Sequence, residues 1–253
     1  MYVSSFLLMF YFVLRNKGSK VNTTNMKAGE DSGNEQVPFP AENAECARIR
    51  QKMQSMFPSV HVLSSGELRR MLLQQHKDST PSAPPRFVLV DVRTQAEQDV
   101  SVLRGAVPLS QVDDVLSTAD DNTRVITYCT VGFRACLEAQ RLQTKYPRLQ
   151  VSCLDGIACY THYDIIKPQA DYDITSSTSS VHLPVPHIVH PHTGQPVYRV
   201  HTFGEQWKTC VHKEYEKVSF ASNTLVNYRS LQFGVGMAYR LLRDKVEAVF
   251  ASA

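Results

Sequence analysis

One cysteine in this chain lies between a short apolar run and a helical pattern. The segment that contains it reads Cys129-Thr130-Val131-Gly132-Phe133-Arg134. The run Val125 to Tyr128 predicts a buried strand, and apolar residues on one helical face from Ala135 to Tyr146 predict a helix. At the N-terminus of a helix, free backbone N–H groups and the helix dipole favour thiolate over thiol, and Arg134 adds a positive charge. We therefore expect Cys129 to be a nucleophile in covalent chemistry.

Other predicted elements hold this loop in place. Phe87 to Val90 and Val151 to Leu154 are continuous apolar runs, typical of strands buried on both faces of a parallel sheet. Strands alternate with helical patterns over residues 60–165, which predicts an α/β domain with a parallel sheet. In such sheets ligands bind beyond the carboxyl ends of the strands. Asp91 and Cys129 each follow a predicted strand, so we expect both at the same edge of the sheet.

Four motifs in this region match a known family in the same order. They are Asp91-Val92-Arg93 with Glu97, Leu103-Arg104-Gly105-Ala106-Val107-Pro108, Tyr128 with the Cys129 segment, and Leu154-Asp155-Gly156-Ile157. On these motifs, residues 60–165 resemble a rhodanese-like sulfurtransferase domain of the single-domain type. The resemblance implies a doubly wound parallel sheet flanked by helices, and no cofactor. The chain departs from the family in two places: Asp155-Gly156 replaces a frequent double glycine, and Cys159-Tyr160 replaces a common tryptophan.

The resemblance also implies a reaction and the residues that perform it. Cys129 takes sulfane sulfur from a small donor such as thiosulfate and holds it as a persulfide, which a thiol, cyanide or a protein acceptor then removes. The cradle around the terminal sulfur is formed by the residues that follow the cysteine: Thr130, Val131, Gly132, Phe133 and Arg134. Within it, Gly132 permits a tight backbone path and Arg134 binds the anionic donor. A structural charge network under the loop is expected from three further residues, Asp91, Arg93 and Glu97.

Two other functions compete with sulfur transfer. Phosphatases and arsenate reductases of related fold carry His-Cys-x5-Arg, but here four residues separate Cys129 from Arg134 and Tyr128 precedes the cysteine. A loop one residue shorter fits a sulfur atom better than a tetrahedral phosphate, which disfavours that chemistry. A catalytically silent binding or regulatory module remains the main alternative, because a fold does not guarantee activity. Cys136 or Cys159 is a further candidate, as a resolving thiol for the persulfide.

Composition excludes several classes of protein. The chain has 253 residues, 43% of them hydrophobic, and a formal net charge of +3, so nothing requires a nucleic-acid partner. Its six cysteines form no Cys-x-x-Cys pair, which is unlike a disulfide framework and favours a reducing compartment. Histidines cluster late in the chain, but prolines separate them and no paired cysteines or acidic ligands fix a geometry, so we expect no metal there. The histidines concerned are His182, His187, His190, His192 and His201.

The two ends of the chain differ from its middle. Residues 1–15 are apolar but, at ~1.5 Å per residue, a helix there falls short of the ~30 Å hydrocarbon core. A membrane anchor with the domain facing the cytoplasm, an organelle-directing leader and a translation artefact are therefore all open. The boundaries we predict are a disordered linker at 16–40, a helix at 41–58, the rhodanese-like domain at 59–165, an irregular Pro/Ser/His-rich extension at 166–225 and a helix at 226–253. The last helix carries an apolar stripe, which we expect to pack on the domain, with contact to a membrane surface or a partner as the alternative.

Overall fold

The structure is a computed structural model that describes residues 40–78, 87–164 and 187–251. The apolar segment predicted at 1–15 lies outside these ranges, as do His182 and nearly all of the linker predicted at 16–40. Within the three ranges, we find no helix that combines the length and the apolar character needed to span a membrane.

The described residues form nine short strands. They are β1 (His61–Leu63), β2 (Phe87–Asp91), β3 (Val102–Leu103), β4 (Val107–Pro108), β5 (Arg124–Tyr128), β6 (Gln150–Leu154), β7 (Ile188–Val189), β8 (Arg199–His201) and β9 (Glu216–Val218). Five of them make a sheet in the order β1-β6-β5-β2-β4, and every neighbouring pair in it is parallel. The predicted α/β fold with a parallel sheet is confirmed.

Seven α-helices accompany the strands in the described ranges. They are α1 (Ala44–Met56), α2 (Ser65–Asp78), α3 (Gln95–Gln98), α4 (Val112–Ser117), α5 (Phe133–Lys145), α6 (Ile157–Asp164) and α7 (Asn223–Ala251). Short 3-10 helices cover Leu109–Gln111 and Glu205–Cys210. Helix α5 buries Ala135, Ala139 and Leu142 completely, because the helical spacing of these residues puts them on one face. The apolar stripe predicted after the cysteine therefore faces the core.

Side chains at the helix starts fix where α1 and α2 begin. The side-chain oxygen of Asn43 accepts from the backbone N–H of Glu45 at 2.9 Å, which caps α1. Before α2, the carboxylate of Glu67 accepts from the backbone N–H of Ser64 at 2.9 Å, and the Ser64 hydroxyl accepts from the backbone N–H of Glu67 at 3.2 Å. These two reciprocal bonds are a capping box, as the sequence predicts.

The region after the domain has more structure than the sequence predicts. Where we expect an irregular extension at 166–225, the part described from residue 187 contributes strand β7, which pairs antiparallel with β3. It also contributes β8 and β9, which pair with each other in parallel. Val189 and Val200 are buried in these strands. Strands of two or three residues between prolines carry too short an alternation to be recognised from sequence.

Helix α7 lies on the domain with the opposite face from the expected one. The stripe that we predict to pack inward contains Leu231, Val235 and Leu242, and all three are exposed. The prediction is wrong because basic residues on the other face of α7 find acidic partners on the domain. Val226 and Met237 fill the remaining space on that inner face.

Cys136 and Cys153 form a disulfide that joins α5 to β6, with their Cα atoms 5.4 Å apart. The sequence does not predict this crosslink. Because Cys136 is bonded to Cys153, it has no free thiol with which to resolve the persulfide. The two residues are 17 positions apart, and only the packing of α5 on β6 brings their interior faces together. Among the described cysteines, Cys46, Cys129, Cys159 and Cys210 are free thiols.

Candidate active site

The cysteine loop connects the carboxyl end of β5 to the start of α5. Cys129 is the first residue after the strand and its side chain is buried, with 2% of its surface exposed. Gly132 is the N-cap of α5 and has a φ of 87°. A Cβ atom at this position would lie 3.2 Å from the carbonyl oxygen of Leu154 and 3.3 Å from Cγ of Met53. Both the backbone conformation and the close neighbours therefore require glycine, as the sequence predicts for this turn.

The segment between β6 and α6 supports the loop from below. The backbone N–H of Ile157 donates to the carbonyl of Cys129 at 2.9 Å, and that of Ala158 donates to the carbonyl of Thr130 at 3.2 Å. Gly156 has a φ of 129°, and a Cβ there would lie 2.2 Å from the Thr130 oxygen. The first turn of α6 thus holds two loop carbonyls, and only glycine allows the approach.

Asp155 fills the position where the family often has a first glycine. Its carboxylate accepts hydrogen bonds from both the backbone N–H and the hydroxyl of Ser65, at the start of α2. Burial raises the pKa of Asp155 to about 8, against the lowering effect of the Ser65 bonds. This departure therefore ties the loop support to α2.

Arg134 and Glu97 form a closed ion pair beneath the loop. Nη1 and Nη2 of Arg134 donate to the two carboxylate oxygens of Glu97 at 2.8 and 2.6 Å, and the Thr130 hydroxyl donates to the same carboxylate at 3.1 Å. Burial raises the pKa of Glu97, but the charge and hydrogen bonds of Arg134 outweigh burial and hold that pKa at about 2. The Glu97 pair uses two of the five N–H groups of the guanidinium, so binding of the anionic donor by Arg134 stays a prediction for the remaining ones.

Asp91 and Arg93 form a second, separate buried pair. Nη2 of Arg93 lies 2.6 Å from the Asp91 carboxylate and also donates to the carbonyl of Ser101 at 2.6 Å. The hydroxyl of Tyr128 donates to Asp91 at 2.6 Å and accepts from the backbone N–H of Leu103. Burial raises the pKa of the Tyr128 phenol. The predicted network of Asp91, Arg93 and Glu97 is thus two pairs: this one anchors the strand ends, and the Glu97 pair anchors the loop.

The remaining cradle residues have structural neighbours as well. The ring of Phe133 packs edge-to-face on Phe57 with 5.6 Å between centroids, next to the end of α1. Val131 is buried, with 6% exposed. Because both side chains are packed in the interior, the groups that these residues can offer to an anion are backbone N–H groups. Helix α5 begins at Phe133, and the first N–H groups of a helix have no acceptor within it.

An aromatic residue from the C-terminal extension packs on the guanidinium of Arg134. The guanidinium of Arg134 lies 4.5 Å from the ring centroid of Phe203 and 6.0 Å from that of Phe233 in α7. Phe203 has a φ of 63°, which is uncommon for a residue with a bulky side chain. Its backbone N–H donates to Nδ1 of His201 at 3.0 Å. The sequence places Phe203 in the predicted irregular extension and gives no signal for this contact.

His201 is buried beside the charged pairs. Burial lowers its pKa to about 4; the positive charges of Arg93 and Arg134 act in the same direction, and Glu97 opposes them. The ring is therefore neutral at physiological pH, which keeps Nδ1 available as an acceptor for the Phe203 amide.

A second group of cysteines joins α1 and α6. The Cys46 thiol is within hydrogen-bonding reach of Cys159, and this contact, with a smaller contribution from His162, lowers the pKa of Cys46 to about 6 against burial. Burial raises the pKa of Cys159, the second candidate resolving thiol. Within the described ranges, no group of three or more His, Cys, Asp or Glu side chains has the arrangement to hold a metal ion.

Residues 70–156 match the family model of the Rhodanese-like domain. Among solved structures, the thiosulfate sulfurtransferase from Pseudomonas aeruginosa is 19% identical over 44% of this chain and 20% of its own, with a TM-score of 0.34. The reduced CoADR-RHD of Bacillus anthracis is 20% identical over 41% and 17%, with a TM-score of 0.32. A Staphylococcus saprophyticus protein is 21% identical over 43% of this chain and all of its own, with a TM-score of 0.31. The chain spans about a fifth of the length of the first two proteins. No curated protein matches the chain.

Proposed function

The chain carries a rhodanese-like domain, and we propose that this domain is a sulfurtransferase that works through a persulfide on Cys129. One observation carries the proposal. Cys129 is a free thiol at the carboxyl end of a central parallel strand, directly before the N-terminus of α5, in a loop whose backbone is fixed by Gly132 and Gly156. That position gives a sulfur anion several backbone N–H groups and the positive end of a helix dipole.

The first half of the reaction loads the cysteine. The Cys129 thiolate attacks the outer, sulfane sulfur of a thiosulfate-like donor and forms a new S–S bond. The S–S bond of the donor breaks, and sulfite leaves with its electron pair. The negative charge then lies on the terminal sulfur of the Cys129 persulfide, where the N-terminal amides of α5 stabilise it.

The second half returns the enzyme to its starting state. The thiolate of an acceptor, or cyanide, attacks the terminal sulfur, and the S–S bond to Cys129 breaks with its electron pair on Cys129. The product is an acceptor persulfide or thiocyanate. In this scheme Arg134 stays on Glu97, which keeps the loop rigid, and its remaining N–H groups can bind the anionic donor.

A binding module without turnover is the second candidate, and the burial of the cysteine favours it. Cys129 is only 2% exposed. A donor reaches the thiol only when the residues around it move. If that movement is rare, the domain keeps its fold and its cysteine without transferring sulfur.

Intact mass spectrometry distinguishes the two candidates. The purified full chain is incubated with thiosulfate or an organic persulfide, and we expect the mass of one added sulfur atom. The adduct should be lost in Cys129→Ser and retained in Cys210→Ser, which changes another buried free thiol. If neither donor gives an adduct, the binding module is favoured. An adduct that persists in Cys129→Ser would place the chemistry on another thiol and refute the proposed site.

A further inference from the structure

Helix α7 turns its charged face toward the domain. Asp244 accepts from Nη1 of Arg141 at 2.6 Å and from Nζ of Lys145 at 3.2 Å, both on α5. Nη2 of Arg240 donates to Glu138 on the same helix at 3.1 Å. The guanidinium and carboxylate groups that would normally face water are therefore used between α7 and α5.

The opposite face of α7 is apolar and faces solvent. Its members are exposed by between 47% and 77%, and their spacing repeats as three, four and four residues: Tyr228, Leu231, Val235, Tyr239, Leu242, Val246 and Phe250, with Val249 beside the last. We name these eight residues the outer stripe. A soluble helix ordinarily buries such a stripe and exposes its charges, so α7 has the reverse arrangement.

The size of the outer stripe matches half of a protein–protein interface. Aromatic side chains present 150–250 Å² each when fully exposed, so the three aromatic members, at 52% to 77% exposure, present on the order of 400 Å². The five aliphatic members, at 47% to 67% exposure, add about as much again, which brings the stripe to roughly 800 Å². The largest apolar patch on a typical monomer is about 300–600 Å². A standard interface buries about 800 Å² on each partner. The stripe is therefore larger than an ordinary surface patch and large enough for a stable dimer.

The charges around the stripe favour another copy of the chain over a lipid surface. Helices that lie on membranes present free lysines and arginines to anionic headgroups. Of the four basic residues of α7, Arg240 is bound to Glu138, Arg243 is bound to Asp113 on α4 and Arg229 donates to Gln232, which leaves Lys245 as the one without a partner among the described residues. The stripe itself contains no charged residue, so two stripes can meet without like-charge repulsion. The spacing of three, four and four residues repeats every 11 residues, which is close to three turns of an α-helix. The apolar face therefore runs along the helix with little rotation, so that two such helices can pair along their length.

We propose that two copies of this chain associate through the outer stripes of their α7 helices. The arrangement is isologous: the same surface of each copy meets the other across a two-fold axis. The charged inner faces keep each α7 on its own domain, and the paired stripes form an apolar seam between the two domains.

Sedimentation of the full chain tests the proposal. At micromolar concentration we expect a mass of two chains, which dissociates on dilution. Replacing two stripe residues with acids, Val235→Glu with Leu242→Glu, should halve the mass to one chain. Both residues are more than half exposed, so the monomer should keep its fold, which circular dichroism checks. As a matched control, Asn227→Glu adds an acid at an exposed position of α7 outside the stripe and should stay dimeric.

Other results would overturn the proposal and identify the actual occupant. A wild-type mass of one chain rules out the second copy. If that monomer also co-sediments with phosphatidylcholine and phosphatidylserine vesicles, and the double variant does not, the stripe binds lipid. Crosslinks between residues 1–39 and α7 within the monomer would assign the stripe to the chain's own N-terminus. None of these measurements depends on sulfur transfer, so they leave the proposed function untouched.

Discussion

The ion pairs beneath the cysteine loop and the ion pairs beneath α7 both neutralise buried charges. The two regions differ in the surface that remains exposed. Glu97 and Arg134 lie inside one domain, and everything that supports Cys129 comes from the same chain. The pairs between α7 and α5 also satisfy their charges, but they leave the apolar outer stripe exposed. The candidate site is therefore complete in one copy, whereas the C-terminal helix has an apolar face that a second copy can cover.

Removing the charge partner of Arg134 beneath the loop should lower the stability of the protein most. In Glu97→Gln, Arg134 stays buried without its counter-ion, which costs about 3–5 kcal/mol of the free energy of unfolding. The control is Glu45→Gln, which breaks the pair of Glu45 with Arg48, whose side chains are 30% and 47% exposed. That loss should be no more than about 1 kcal/mol. Urea unfolding measures both, and equal losses would show that burial of the Glu97 pair has no special effect.

The backbone under the loop is the next target. Gly156→Ala forces a Cβ against the Thr130 carbonyl and strains the backbone, so we expect a loss of at least about 2 kcal/mol and a poorer persulfide yield. Gly194 also has a positive φ, of 65°, but the Cβ in Gly194→Ala would meet no atom within 4 Å. It should cost only about 1 kcal/mol of strain. If the two variants unfold at the same urea concentration, the loop is not held as tightly as we infer.

A smaller effect is expected at the α7 contact. Asp244→Asn weakens the bonds from Arg141 and Lys145, for an expected loss of about 1.5 kcal/mol. Glu247→Gln also loses a bond to Lys145, but the Glu247 side chain is 52% exposed, so it should change stability by less than about 0.5 kcal/mol. The persulfide yield should not change in either variant. A loss of sulfur loading in Asp244→Asn would mean that the contact between α7 and α5 affects the cysteine loop.

The last prediction concerns pH. His201 has a pKa of about 4 in the folded protein, below its ordinary value of about 6.5. Between these two values the unfolded chain binds a proton that the folded chain does not. Stability is therefore fully present above about 6.5 and falls as the pH drops toward 4. His201→Gln should flatten this part of the pH profile of unfolding, and an unchanged slope would contradict the assignment.

Elements set by local pattern could be predicted from the sequence. The runs that form β2, β5 and β6 are mostly apolar, and Cys129 with Gly132 lies at the strand-to-helix turn that the pattern indicates. The capping box of Ser64 and Glu67 is also a local pattern. These features depend on residues only a few positions apart.

Partners that are distant along the chain could not be predicted in the same way. Arg134 pairs with Glu97, 37 residues earlier, and this pairing fixes the position of the guanidinium beneath the loop. Phe203 reaches the same guanidinium from the C-terminal extension. The stripe of α7 was visible in the sequence, but periodicity shows only that one face is apolar. Which face meets the domain depends on Glu138, Asp113 and the other acids that the fold places opposite it.

The proposed function requires that sulfur loaded onto Cys129 is passed on to an acceptor. The most direct measurement is thiocyanate produced from thiosulfate and cyanide, counted per protein chain in the wild type and in Cys129→Ser. We predict many thiocyanate molecules per wild-type chain and none above the uncatalysed background in the variant. Production that stops at one molecule per chain, or that continues without Cys129, would contradict the account.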